Sequence, residues 1–388
     1  MSSVGRLRRL VGTALVDSFG LSVGWTLFSL QVVKAHGLAG LGLCNAAMLV
    51  GVALSAPAAA RLSGRLDGRA LLRVTAATEA LLRVGTFALL LAGTPLPLVA
   101  VAVAASNVVA WTGYAGMRAE VAAADPRGAA MTWYMVAVAA IEAAGIATAA
   151  LLPTGPDGLV SGGLLVGVIV CYGACLLPTW LVARGARVVR TPRLRATGRR
   201  PTGLLASGGL VMLLGSGPTL LAVGLAAELH GIRWVAGSAL AFAIGSLLAP
   251  PVVARLERRA LPPAISWPAL GVGMVAGWSL AAWHPAGLLV AQLLSGMSMS
   301  ALEGDMDARV AAEGGSRRGV TAGLASAAAL RAFGSAAAVA LAPRVISEAG
   351  VGWLGAALAT GLATLALLRL AWQLRRRPSA PLVDVAGR

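Results

Sequence analysis

Apolar residues dominate this chain in long uninterrupted runs, with no polar face recurring at helical spacing. A bilayer core about 30 Å thick needs roughly 20 apolar residues of helix per crossing, and runs of that length recur along the whole chain. They predict spans near 11–33, 38–60, 70–93, 96–117, 129–152, 159–183, 204–227, 234–254, 261–283, 285–303, 319–342 and 350–372. The breaks have local causes: Pro95 and Pro97 end the third span, Pro153 with Thr154 to Gly158 makes the fifth turn, and His284-Pro285 separates the ninth and tenth spans. The first run follows Arg6, Arg8 and Arg9, is too long for a signal-peptide core and lacks a persuasive cleavage site, so it reads as a retained helix. The expectation is an all-α polytopic membrane protein with twelve transmembrane helices.

Composition agrees with the pattern. The 388 residues are 58% apolar and 12% charged, whereas soluble domains run near 45–50% and about 25%. Water-soluble enzymes, disordered chains and collagen-like fibres are excluded. A net charge of +17 would raise the question of nucleic acid. The cations, however, sit in short clusters such as Arg6-Leu7-Arg8-Arg9 and Arg375-Arg376-Arg377, and the 10 Trp, 3 Tyr and 5 Phe form no stacking pattern. They read as topology signals, and no nucleic-acid partner is expected.

Arginine placement gives the orientation. With the N-terminus inside, one set of loops holds Arg61, Arg65, Arg69 and Arg73, then Arg118 and Arg127, Arg255, Arg258 and Arg259, and Arg309, Arg317 and Arg318. The opposite set holds only Lys34, Arg233 and Arg344. This asymmetry predicts both termini on the cytoplasmic side of the cell membrane. The longest inside loop, Arg184 to Thr202, has seven arginines and no acid; it reads as a solvated topology determinant or as an anionic-lipid contact.

The second half repeats the first. Gly51, Pro57, Ala60, Arg61, Leu62 and Arg65 fall on Gly245, Pro251, Ala254, Arg255, Leu256 and Arg259 at an offset of 194; Met117, Val121, Thr132 and Gly145 fall on Met306, Val310, Thr321 and Gly334 at 189. Six spans separate each matched pair, and an even number preserves direction, so the halves are parallel repeats about an axis along the membrane normal. The predicted division is a six-helix bundle over 1–183, a basic cytoplasmic linker over 184–203, a second six-helix bundle over 204–374 and a tail over 375–388.

The loop after the second span reads Ala60-Arg61-Leu62-Ser63-Gly64-Arg65-Leu66-Asp67-Gly68-Arg69. With twelve spans, parallel repeats and a basic central loop, the chain resembles the major facilitator superfamily of secondary transporters, whose glycine/aspartate/arginine loop occupies this position. Ala60 stands where that family prefers Gly and Gly64 where it prefers Asp, the acid that helps lock the family's cytoplasmic side. The resemblance implies two six-helix bundles around a central cavity, with the fifth and eleventh helices on opposite walls. It also implies that the fourth and tenth helices approach each other at their cytoplasmic ends when the transporter opens outward. The fifth span, Glu142-Ala143-Ala144-Gly145-Ile146-Ala147, lacks the glycine-proline pattern of the family's drug/proton antiporters.

Charges inside hydrocarbon are costly and face a cavity or a partner. The candidates are Asp17, Glu79, Arg83, Glu142 and Arg331, with Asn107 and Gln31 as uncharged companions. Glu79 and Arg83 are four apart and predict a pair needing no outside partner. Glu142 and Arg331 occupy the same place in the two repeats with opposite charge, each about 18–20 Å in from its cytoplasmic end. They read as a cross-cavity ion pair, as an acid and a base facing substrate separately, or as static packing charges. Arg118 with Asp307 and Glu120 with Arg309 repeat the sign exchange at the ends of spans four and ten; they read as a cytoplasmic gate or as solvated loop charge. Asp17, about 10 Å into the first span, reads as a proton-coupling carboxylate or as an acceptor for Ser18 and Ser22.

Cys44, Cys171 and Cys175 lie in apolar segments and read as packing residues, and the small pairs Gly20/Gly24, Gly273/Gly277 and Gly319/Gly323 as close helix contacts. No phosphate-binding loop, metal-ligand cluster or nucleophile-base pair is present in the sequence, so no enzyme, cofactor or metal is expected. The expectation is a monomeric secondary transporter with the bilayer, a small-molecule substrate and protons as partners, exporting a drug-like or amphipathic metabolite. The alternatives are a non-transporting membrane scaffold or sensor with the same fold, and an importer of a small nutrient.

Overall fold

The computed structural model describes residues 3–124, 129–155, 158–186, 202–259, 261–313 and 317–376. Arg127, most of the basic linker and the tail from 377 lie outside the described residues, and with them those parts of the expectations above. The described residues are helical with short connections and contain no strand.

The first stretch, Ser3–Ser63, keeps helical dihedrals everywhere except at Gly37, whose φ of 65 and ψ of −171 turn the chain between α1 (3–36) and α2 (38–63). Only glycine takes that conformation at no steric cost, so one residue replaces the loop that Lys34 and its neighbours suggested. Then come α3 (Gly68–Leu91), α4 (Leu96–Ala124) and α5 (Ala129–Leu151). Four further columns are assembled from shorter pieces whose joints stay close to helical geometry: α6 (162–185), α7 (202–230), α8 (233–258) and α9 (263–281). Pro178, Pro218 and Pro250 stand just past three of these joints, where the missing N–H interrupts the hydrogen-bond ladder. The last three are α10 (Pro285–Glu313), α11 (Arg317–Ala349) and α12 (Val351–Arg376).

Among the described residues nine helices are long and apolar enough to cross a membrane when Arg8–Ser63 is counted once. Splitting that one at Gly37 and adding the shorter apolar helices Val136–Leu151 and Leu205–Gly215 gives twelve columns. Helices α4, α10 and α11 run well past the ends of their apolar runs, because Ala, Arg, Glu and Met favour helix whether or not lipid surrounds them. Arg118, Glu120, Asp307 and Arg309 therefore stand on helices rather than in loops.

The sequence repeat has a three-dimensional counterpart. A side chain at Gly51 on α2 would collide with the Ala104 carbonyl on α4, and one at Gly245 on α8 with the Leu293 carbonyl on α10. Likewise a Cβ at Gly145 on α5 would fall 2.8 Å from the Phe19 carbonyl on α1, and one at Gly334 on α11 would collide with the Gly209 carbonyl on α7. Each contact in the first half recurs in the second at an offset of 189 to 194, so the same backbone-to-backbone crossings build both halves.

Because the columns alternate in direction, one end of the molecule carries residues 3 and 376, here the near end; the other is the far end. The buried core divides between them. At the far end one cluster mixes both halves, with Leu30, Leu41 and Ala149 packed among Leu225, Val235 and Val339. At the near end the clusters separate: Leu10, Leu72, Met117 and Tyr134 belong to the first half alone, and Leu205, Met212, Trp267 and Met306 to the second alone. Asn45 on α2 adds a polar tie at the mixed end, donating to the Leu220 carbonyl at 2.8 Å.

Candidate functional site

One cluster of buried charges lies within the first half. Arg83 on α3, 2% exposed, pairs with Glu79 one turn away and with Asp17 on α1 at 2.8 Å. The same Nη1 reaches Cys175 Sγ at 3.2 Å and the Tyr172 carbonyl at 3.4 Å on α6, and the guanidinium lies 5.2 Å from the Tyr172 ring centre. The predicted Glu79–Arg83 pair is present, but the expectation that it needs no outside partner is corrected. Two acids converge on one arginine because a buried guanidinium has more donors than one carboxylate can accept. Cys175, expected to be packing alone, is a polar neighbour of both Arg83 and Asp17.

The room for this cluster comes from glycines on α1. A Cβ at Gly20 would sit 2.6 Å from Cys175 Sγ, and one at Gly24 would overlap the Tyr172 ring. The Gly20/Gly24 pair thus does let helices approach closely, and the approach sets α6 against Asp17. Asn107 on α4 donates to the Val103 carbonyl at 2.9 Å and lines a small cavity with Trp25, Phe28, Thr86 and Arg83. Gln31 reaches the Val160 carbonyl at 3.4 Å.

In the second half Arg331 on α11 binds Asp307 on α10 in bidentate fashion, Nη1 to Oδ1 at 2.6 Å and Nη2 to Oδ2 at 3.4 Å. The proposed Arg331–Glu142 ion pair is absent, because a nearer acid in the same half takes the guanidinium. Glu142 on α5 is half-buried and lies in the field of Asp17. The gate pairs are not formed either. Arg118 is exposed and lies 5.7 Å from the Tyr114 ring centre, while Glu120 is fully buried. Arg309 pairs with Asp305 at 2.8 Å and donates to the Leu261 carbonyl at 3.3 Å. The divided near-end core gives the reason: α4 and α10 there belong to separately packed halves.

Asp305 escaped notice in the sequence. It is 2% exposed, and the same Oδ2 that binds Arg309 accepts the Trp267 Nε1 hydrogen at 2.7 Å. Its position four before Arg309 was a readable signal; the reach to Trp267, 38 residues away, was not. In the loop after α2, Asp67 caps α3 by accepting the Ala70 N–H at 2.7 Å, and Gly68 opens that helix. Arg61, Arg65 and Arg69 are exposed and form no ion pair among the described residues.

No protein-family model matches the sequence, and no curated protein matches it. Solved structures do. The inward-open xylose transporter XylE from E. coli is 14% identical, with 94% of this chain and 95% of that one covered and a TM-score of 0.71. A bacterial homologue of the iron transporter ferroportin in its inward-facing state is 15% identical over 95% of this chain and 99% of that one, at 0.68. A homologue of the same description in an outward-facing state with soaked iron is 16% identical over 95% and 99%, at 0.59. At these identities the likeness is one of architecture, and this chain has the fold of the major facilitator superfamily transporters.

Proposed function

We propose that this chain is a secondary active transporter that moves a small organic solute by alternating access, with the near end cytoplasmic and open. One observation carries the reading: the two halves share a core at the far end and pack separately at the near end. Two rigid bundles hinged at one face form one of the two states that alternating access requires. The arginine asymmetry assigns the near end to the cytoplasm, and the better superposition on an inward-facing homologue than on an outward-facing one agrees.

In the cycle, closing the near end brings α4 against α10. Asp307 then exchanges partners, releasing Arg331 and taking Arg118, while Glu120 takes Arg309 from Asp305. Each exchange swaps one ion pair for another, so the difference between the states stays small, as reversible switching demands. Asp17 and Glu142, both within the bilayer, serve as the proton-coupling acids. Few fixed charges stand among largely apolar spans, and this favours export of a drug-like or amphipathic metabolite.

The test is purified protein in proteoliposomes with an imposed pH gradient, screened against dye and metabolite panels beside a Glu142→Gln control. Gradient-driven movement of at least one compound, reduced by Glu142→Gln, is the expected result. Gradient-independent behaviour across the panel favours a scaffold or sensor, the reading to which the three arginines of the Ala60 to Arg69 loop, without ion pairs among the described residues, lend support.

A further inference from the structure

At the near end of the first half the last turns of α6 pack on the first turns of α3. Arg73 on α3 donates through Nε to the Trp180 carbonyl on α6 at 3.4 Å, and its guanidinium lies over the Trp180 ring, 4.6 Å from the centre. The indole is backed in turn by Ala76, Ala80, Cys175 and Leu176. These contacts hold the plane of a half-buried guanidinium, while neither of its Nη groups makes a hydrogen bond or ion pair among the described residues. Trp180 Nε1 has no partner among them either.

Charge gathers at the same place without a counter-charge. Arg69 stands one turn before Arg73 on the same face of α3, and Arg184 one turn beyond Trp180 on α6. Both are exposed and form no ion pair among the described residues. Asp67 is the sole acid from Ala60 to Arg73, and no acid lies between Leu176 and Thr202. Asp67 caps α3, and Asp17 and Glu79 are held deeper by Arg83.

The fold does not demand these arginines. At the offset of 194 the positions of Arg69 and Arg73 fall on Pro263 and Trp267, and Trp267 turns into the core of the second half to bond Asp305. The repeat packs there without a cation.

Just deeper than the arginines the surface is apolar. Val74 on α3 and Leu177 and Leu181 on α6 are each more than half exposed. A soluble anion or a nucleic acid would meet the arginines and leave that wall uncovered. A phospholipid meets both: guanidinium forks take phosphate oxygens, an indole sits at headgroup depth, and basic clusters draw anionic lipids to the membrane surface. We propose that Arg69, Arg73, Arg184 and Trp180 bind the phosphodiester headgroup of an anionic phospholipid, whose acyl chains lie along Val74, Leu177 and Leu181.

The test needs no transported solute. Full-length protein, delipidated in neutral detergent, is titrated with phosphatidylglycerol or with phosphatidylcholine of the same acyl chains, and bound lipid is counted by native mass spectrometry. Melting temperature is recorded for every variant. One phosphatidylglycerol per chain is expected to bind in clear preference to phosphatidylcholine, and inorganic phosphate is not expected to displace it. Arg69→Gln with Arg73→Gln weakens that binding about tenfold or more. Arg255→Gln with Arg259→Gln removes the same charge from the same end of the second half and leaves it unchanged. Arg184→Gln, at an exposed residue, weakens binding where the paired change on α3 lowers the melting temperature.

Equal affinity for the two lipids overturns the site. Equal loss in the two double variants does so too, since it reduces the effect to surface charge, and displacement by inorganic phosphate makes it an anion site without lipid. None of these outcomes depends on the proteoliposome assay, so the transport reading stands or falls separately.

Discussion

Arg331 closes its ion pair with Asp307, a neighbour on the adjacent helix of the same half, and leaves Glu142 on the other half without it. The side chain of Asp307 is 43% exposed while that of Arg331 is 11% exposed, so one partner is partly in solvent and the other is packed behind it. A carboxylate that is half in solvent is the natural one to change partners when the halves come together.

Removing that carboxylate leaves Arg331 without its bidentate partner, with only the through-space charge of Glu303 on α10 to offset it. Asp307→Ala is expected to lower stability by about 1–2 kcal/mol, the lower part of the range for a charge-assisted bond because Asp307 is partly solvated. Thermal melting in detergent reads this. Arg331→Ala and the double variant should be no worse than additive, and exchanging Glu142 and Arg331 should rescue nothing, since the two do not meet.

The gate is read by disulfide trapping. Arg118→Cys with Asp307→Cys should crosslink poorly in the inward-open arrangement and efficiently when substrate or a gradient favours the outward-open state. Glu120→Cys with Arg309→Cys should behave alike. No crosslink for either pair under any ligand or gradient condition removes the proposed partner exchange.

Gly51 and Gly245 should be equally intolerant of a side chain. Each faces a backbone carbonyl on a neighbouring helix, which cannot rotate away, so Gly51→Ala and Gly245→Ala should each cost about 1–3 kcal/mol. Gly85 sits on α3, and a Cβ added there would meet nothing within 4 Å; Gly85→Ala should be neutral or stabilising by up to about 1 kcal/mol. Melting temperatures of the three variants compared side by side decide this.

Asp305 carries two bonds on one buried oxygen. Asp305→Ala strands the Trp267 Nε1 hydrogen and should cost about 1–3 kcal/mol, with a change in tryptophan emission. Arg309→Ala should cost less, because the Trp267–Asp305 bond survives it. Equal loss for both would place the stability in the salt bridge instead.

The glycine crossings show why the fold was legible. Apolar runs of bilayer length, arginine on alternate loops and a repeat carried by Gly51/Gly245 and Gly145/Gly334 are one-dimensional patterns, and the solvent imposes them on the chain directly. Spans, fold class and parallel repeat follow without any knowledge of packing. The Glu79–Arg83 pair was legible for the same reason, since partners one helical turn apart are fixed by local geometry alone.

Partner choice between helices was not. Asp17 and Arg83 are 66 residues apart, and nothing local distinguishes Asp17 from any acid capped by nearby serines; only the approach of α1, α3 and α6 through Gly20 and Gly24 makes it the second acid of Arg83. Symmetry of position suggested Glu142 for Arg331, yet position in a repeat fixes depth and leaves distance open, and Asp307 was nearer. The sequence determined which runs are long and apolar enough to span a bilayer. The tertiary structure decided which charges meet and at which end the two halves share a core, because those depend on how helices far apart in sequence pack.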